Sequence, residues 1–192
     1  MDLQAFASLY LPPPPARVLE VGCGDGALAR ALAERGHVVT AIDPRAPAGE
    51  IFRAVTLDDF EDPGPFDAVV AGRSLHHIHN LTGAVEKLAR LLAPGAVLIL
   101  DEHAFDRLDE PTARWFADRG GVVEAWKDGH AGLHGYAAMR SELDRRFTER
   151  HLEWRPYLYG ELGAAGNVEE ERAAIEAGEI QAMSFRYVGA RA

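Results

Sequence analysis

The run Gly22-Cys23-Gly24-Asp25-Gly26 is preceded by Glu20 and followed about twenty residues on by Asp43. Glycines in such a turn let a ligand lie directly on the backbone, because no Cβ stands in the way. Two spacings are satisfied at once: Gly22, Gly24 and Ala27 fit the dinucleotide pattern G-x-G-x-x-G/A, and Gly22, Gly24 and Gly26 fit G-x-G-x-G. In both cases Asp43 is placed to accept hydrogen bonds from a ribose diol. Charge separates the possible ligands. A dinucleotide sets two phosphates against the start of a helix, where bare N–H groups favour anions. Here Glu20 and Asp25 crowd that spot, so a pyrophosphate is poorly received, although Asp25 also reads as a simple helix cap. A nucleoside with an ammonium and a sulfonium but no phosphate finds the same acids favourable. S-adenosylmethionine is such a ligand.

Histidines form the second group. His76 and His77 follow one apolar stretch, and His103 follows another. A near-neutral imidazole suits removal of a hydroxyl or amine proton, while the competing reading of each is packing. His76, His77, His79 and His103 with Asp101 and Glu102 do not form a recognised ligand spacing and lack thiolate support, so no metal is expected. Tyr136, Trp154, Tyr157 and Tyr159, with His130 and His134 at the rim, read either as an aromatic substrate pocket or as core. Arg73 reads as a receiver of a substrate carboxylate or as a solvated side chain. Cys23 needs only to be small, and its acidic neighbours raise its pKa.

The elements that must position these groups alternate. "RVLEV" (17–21), "HVVTAID" (37–43), "FRAVTL" (52–57), "FDAVVAG" (66–72) and "AVLILDE" (96–102) read as strands. Between them, "ALARALAERG" and "LTGAVEKLARLL" carry apolar residues at helical spacing, the second ending at the Pro94-Gly95 turn. Apolar strands separated by amphipathic helices predict a parallel sheet covered on both faces, with the ligand at the point where strand order reverses. A leading helix with Leu3, Phe6 and Tyr10 is set apart by the prolines at 12–15. The second half predicts helices at "EPTARWFADRG" and "LHGYAAMRSELDRRF", and an edge strand or arm over 150–162, where Pro156 lacks an N–H. A helix capped by Asn167 and a closing strand over 182–190 follow.

Length and charge narrow the function classes. The 192 residues, 47% of them apolar, predict one domain with a proper core. A formal charge of −10 disfavours a nucleic-acid partner. No Lys or Arg precedes Arg17 and no long apolar stretch occurs, so neither a signal peptide nor a membrane helix is expected; with a single cysteine, this predicts a cytoplasmic protein.

"VLEVGCGDG" (18–26), "HVVTAID" (37–43), "FDAVVAGRSLHHI" (66–78) and "LARLLAPGAVLILDE" (88–102), in this order, resemble the motifs of class I S-adenosylmethionine-dependent methyltransferases of the small-molecule type. The resemblance is good over roughly 17–102 and loose elsewhere. It implies an α/β fold: a Rossmann-like, doubly wound, mostly parallel seven-stranded sheet with an antiparallel strand near the C-terminus and helices on both faces. It implies one domain over 1–192, with an N-terminal segment (1–16), a cofactor half (17–102) and a substrate half (103–192). By the same resemblance Gly22, Cys23, Gly24 and Gly26 pack on the methionine tail with Glu20 below them. Asp43 holds the ribose, Leu57 and Asp58 wall the adenine, and Gly72 offers its backbone near the amino group. Methyl transfer is an in-line displacement, and a base helps only where the acceptor arrives protonated, which makes His76, His77 and His103 the catalytic candidates. The partner implied is a small-molecule acceptor with an oxygen or nitrogen nucleophile.

The sequence departs from the family twice. Only residues 44–51 separate Asp43 from the third predicted strand, and Thr56-Leu57-Asp58-Asp59-Phe60 leaves the register of the adenine wall open. Two rival functions stay open. A nucleotide-dependent oxidoreductase is kept by Gly22, Gly24, Ala27 and Asp43, against the lack of a Tyr-x-x-x-Lys pair, since Tyr136 is followed by Arg140. A cofactor-binding module without catalysis is the other.

Overall fold

The computed structural model describes residues 1–191. Seven strands form one sheet: β1 (Arg17–Val21), β2 (Val38–Asp43), β3 (Phe52–Ala54), β4 (Phe66–Gly72), β5 (Leu92–His103), β6 (Phe147–Arg155) and β7 (Ser184–Arg191). Their order is β3-β2-β1-β4-β5-β7-β6. The first five run parallel, and β7 lies antiparallel between β5 and β6. Strand order reverses between β1 and β4, which opens a crevice at their carboxyl ends.

Alternation within the strands builds two cores. Val18, Ala41, Ala68, Val70 and Ile99 face one side, where α1 (Leu3–Tyr10) and α2 (Ala27–Glu34) cover them with Phe6, Ala29 and Leu32. Leu19, Ile42, Val69, Leu98 and Leu100 face the other, under α3 (Leu81–Leu91) and α6 (Tyr136–Leu143), which contribute Val85, Leu88 and Met139. Between these last two lie α4 (Glu110–Asp118) and α5 (Val123–Gly129); α7 (Leu158–Glu161) and α8 (Val168–Glu176) come later. A third cluster of Trp115, Phe116, Trp126, Leu158 and Met183 joins α4, α5 and α7 beside the sheet.

Side-chain caps set several helix starts. Asp2 accepts from the Ala5 N–H at 2.8 Å, Asn80 from Gly83 at 3.0 Å and Asp109 from Thr112 at 3.0 Å. Asn167 caps α8 by accepting from both Glu169 and Glu170. Arg186 on β7 is fully buried, pairs with Asp101 at 3.0 Å, stacks over Phe6 and donates to the Met1 carbonyl at 2.9 Å. It thereby ties α1 to the sheet.

Four local expectations are corrected. The third strand stops at Ala54 because the Thr56 hydroxyl accepts from the Asp59 N–H at 3.1 Å and closes a turn. Pro94 and Gly95 do not separate α3 from β5: Phe66 pairs with Leu92 and Ala68 with Val97, so both residues bulge out of a strand that has already begun. The expected arm over 150–162 is split. Its first part belongs to edge strand β6, which ends before Pro156, and Leu158–Glu161 is helical. Residues Val123–Gly129 form a helix where none is expected.

Candidate active site at the carboxyl edge of the sheet

The crevice is a single cleft of about 860 Å³ running from the glycine turn to the loops after β4 and β5. At one end, Gly22 adopts φ +76° and its N–H donates to the Ile42 carbonyl at 2.8 Å. A Cβ there would stand 2.5 Å from Ser74 Cβ, so only glycine lets β1 and the β4 loop approach. Gly24 adopts φ +52°, and the space its Cβ would fill is empty. Its N–H donates to Asp43 Oδ2 at 3.1 Å, while Asp43 Oδ1 accepts from Arg45 at 2.7 Å. A carboxylate has about four acceptor positions, so Asp43 keeps capacity for a diol.

Leu57, Asp58 and Gly72 also line the cleft. Glu20, Cys23 and Gly26 do not, and shape it from behind. A Cβ on Gly26 would meet the Phe52 ring at 2.4 Å, so this glycine serves the packing of the turn at the head of α2. Asp25 accepts from the Ala27 N–H at 3.1 Å, which makes it a local cap. Burial raises the Cys23 thiol to about 11, with Glu20 and Asp43 adding to the effect. Glu20 is buried with Oε2 unpartnered. Burial pushes its carboxyl up to about 7; an N–H from Ala29 opposes this, and Asp25 and Asp43 reinforce it.

At the other end, a 3₁₀ turn at Leu75–His77 places His76 and His77 on the cleft, and the last residue of β5 places His103 there. His76 is nearly buried, and its Nδ1 lies 2.5 Å from Oε2 of the fully buried Glu102. Glu102 Oε1 accepts from the N–H groups of Ser74 and Leu75 at 2.8 and 2.6 Å. A carboxylate held by two N–H groups keeps the imidazole proton on Nδ1 and leaves Nε2 as acceptor. His77 titrates below the ordinary histidine value because of burial and the neighbouring His76. Burial pushes His103 down to about 3, helped by His76, Arg73, His130 and His77. Its Nδ1 is buried without a partner.

Phe105, His130 and Tyr157 complete the wall. The Phe105 and His130 rings pack at a tilt with centroids 4.2 Å apart, as do His103 and Tyr157 at 4.3 Å, while His130 Nε2 meets the Tyr157 hydroxyl at 3.1 Å. The rest of the expected aromatic pocket lies elsewhere. Tyr136 and Trp154 pack 4.7 Å apart on the core residue Phe185, and Tyr159 is exposed. His134 braces the His76 loop at the Ile78 carbonyl, 3.1 Å away. Glu102 as a partner of His76 was invisible in the sequence, where it stood only as a possible metal ligand; its place at the end of the fifth strand was the available signal. Among the described residues, no group of three His, Cys, Asp or Glu side chains is arranged to hold a metal.

A family model described as "Methyltransferase domain" matches residues 1–155, and the chain belongs to that family. The ubiquinone biosynthesis O-methyltransferase of Xylella fastidiosa is 34% identical over 110 residues, covering 50% of this chain and 45% of that one. The match thus takes in less than half of that relative. The fold is that of an S-adenosylmethionine dependent methyltransferase from Mesorhizobium loti, 16% identical at TM-score 0.65 over 97% of this chain and 96% of that one. It is also that of the 1,6-didemethyltoxoflavin-N1-methyltransferase of Burkholderia thailandensis, 20% identical at TM-score 0.62 over 98% and 76%.

Proposed function

We propose that this protein moves the methyl group of S-adenosylmethionine to an oxygen or nitrogen atom of a small molecule. The observation that carries the reading is the continuity of the cleft, which joins the glycine turn and Asp43 to the histidine end in one space. The residues present fit the cofactor. The room over Gly24, the spare acceptor capacity of Asp43 and the second carboxylate at that end of the cleft, Asp58, suit a nucleoside with cationic groups. When bound, S-adenosylmethionine supplies a methyl group on positively charged sulfur.

The chain's own residues supply position and proton handling. Gly22 and Gly24 leave the backbone bare, Asp43 orients the ribose, and Leu57 and Asp58 flank the base. Gly72, which lines the cleft, offers its backbone near the amino group. His76 takes the proton of an acceptor hydroxyl or amine at Nε2, and Glu102 holds its ring in the required tautomer. With its titration pushed down to about 3, His103 holds a proton too weakly to serve as the base and acts as a hydrogen-bonding wall, and His77 is also shifted downward beside it. The Xylella relative is named an O-methyltransferase and the Burkholderia structure an N1-methyltransferase, which supports these two acceptor atoms.

The test is incubation with methyl-tritiated S-adenosylmethionine and a panel of small phenols, alcohols and amines. Label transferred to a member of the panel, and lost on His76→Ala, is the expected result. A protein that binds the cofactor and transfers label to none of them contradicts the enzymatic reading and favours a binding module.

A further inference from the structure

The cleft is polarised. Both acids that line it, Asp43 and Asp58, belong to the glycine-turn end, where Arg45 also stands. The acceptor end is lined by Arg73 and the five histidines 76, 77, 79, 103 and 130, with no carboxylate of the described residues on its surface. This occurs in a chain with thirty Asp and Glu against twenty Lys and Arg. Glu102 lies beneath that surface, engaged by His76, Ser74 and Leu75. Glu161 accepts the Tyr157 hydroxyl at 2.7 Å, outside the lining.

Arg73 differs from most arginines of the molecule. Of the eighteen arginines nine form ion pairs with Asp or Glu and five more donate side-chain hydrogen bonds, whereas among the described residues Arg73 is one of four, with Arg45, Arg90 and Arg150, whose side chain does neither. It is also the one described non-glycine residue at positive φ, +50°, with its N–H held by the Asp101 carbonyl at 2.8 Å. Backbone strain of this kind persists where the surroundings enforce it and clusters at ligand clamps. His103 and Tyr157 both feel the Arg73 charge, which places the guanidinium in the field of the acceptor end.

We infer that the acceptor is an anion, a small molecule whose carboxylate or phosphate is received by Arg73 while its body lies against Phe105, His130 and Tyr157. A guanidinium fork matches either group with two parallel hydrogen bonds. The cluster of tilted rings gives an apolar body a surface to pack on. This inference rests on the methyl-transfer reading, because it takes the acidic end as the cofactor's.

The test is calorimetry with S-adenosylhomocysteine saturating. One arm compares 3,4-dihydroxybenzoate with 3,4-dihydroxybenzamide, and the other compares 4-hydroxyphenyl phosphate with hydroquinone. At least one anion binding tenfold or more tightly than its neutral partner is the expected result, and the arm that shows it names the group. Arg73→Gln abolishes the preference, Arg73→Lys keeps most of it, and S-adenosylhomocysteine binds all forms equally. Arg73→Asn, which tolerates positive φ, repeats the test if the glutamine variant folds poorly. Equal binding within both pairs, no binding of any probe, or a preference that survives Arg73→Gln overturns the inference. So does loss of S-adenosylhomocysteine affinity in the variants, which would give Arg73 to the cofactor's own carboxylate. Failure of the native protein to bind S-adenosylhomocysteine overturns instead the methyl-transfer reading.

Discussion

Asp43 divides its two oxygens between the Gly24 and Arg45 N–H groups, and the ribose diol would take its remaining lone pairs. Asp43→Ala therefore weakens S-adenosylhomocysteine binding by about 1–3 kcal/mol, measured by calorimetry, and also frees the turn it pins. Glu102 works through another residue. Glu102→Gln should leave S-adenosylhomocysteine affinity unchanged and lower kcat by about 100-fold, since His76 loses its carboxylate orienter. Glu20 makes the stability depend on pH. Its folded carboxyl titrates at about 7 rather than 4.5, so between those values only the folded chain keeps the proton. Stability from this group thus falls as pH rises from 4.5 to 7, by about 3 kcal/mol at most. Urea unfolding of the native protein and Glu20→Gln at pH 5 and 7.5 reads it as a difference that shifts in favour of the variant at the higher pH.

The β1 turn shows why elements with local signals were legible. "RVLEV", the glycines and the amphipathic α2 lie within a single run of sequence, and the structure puts strand, turn and helix there. What the sequence hid was the division of labour among the glycines, because which one faces the open cleft and which one faces Phe52 or Ser74 depends on distant chain. Gly22→Ala should cost about 2–3 kcal/mol, combining left-handed backbone strain with the Ser74 clash. Gly24→Ala should cost only about 1–2 kcal/mol, since strain acts alone, yet place a methyl group in the cleft and weaken cofactor binding. Thermal melts and calorimetry on the two variants separate these effects. The α5 helix was missed because its N-cap, Val122, offers no side-chain acceptor and its seven residues show little periodicity. In the sequence Pro94-Gly95 spells a turn, the usual meaning of that pair, and only the pairing with β4 reveals that β5 has begun.

At the scale of the whole molecule, the strand order and the two-faced core follow from the alternation of apolar strands and amphipathic helices. The site was legible where it sits on the first half of the chain. His130 and Tyr157 enter it from α5 and the β6–α7 loop, elements whose docking on the sheet is set by the Trp115–Trp126–Met183 cluster rather than by any motif. Glu20, by contrast, stands beside the glycines in the sequence but behind the cleft in the fold. The central claim is that this fold presents a nucleoside pocket suited to positive sulfur and not to a diphosphate. Parallel calorimetric titrations with S-adenosylmethionine, S-adenosylhomocysteine and NAD test it most directly. Stoichiometric binding of the first two with no heat from NAD is the predicted result; saturable binding of NAD with none of either sulfur compound would contradict it.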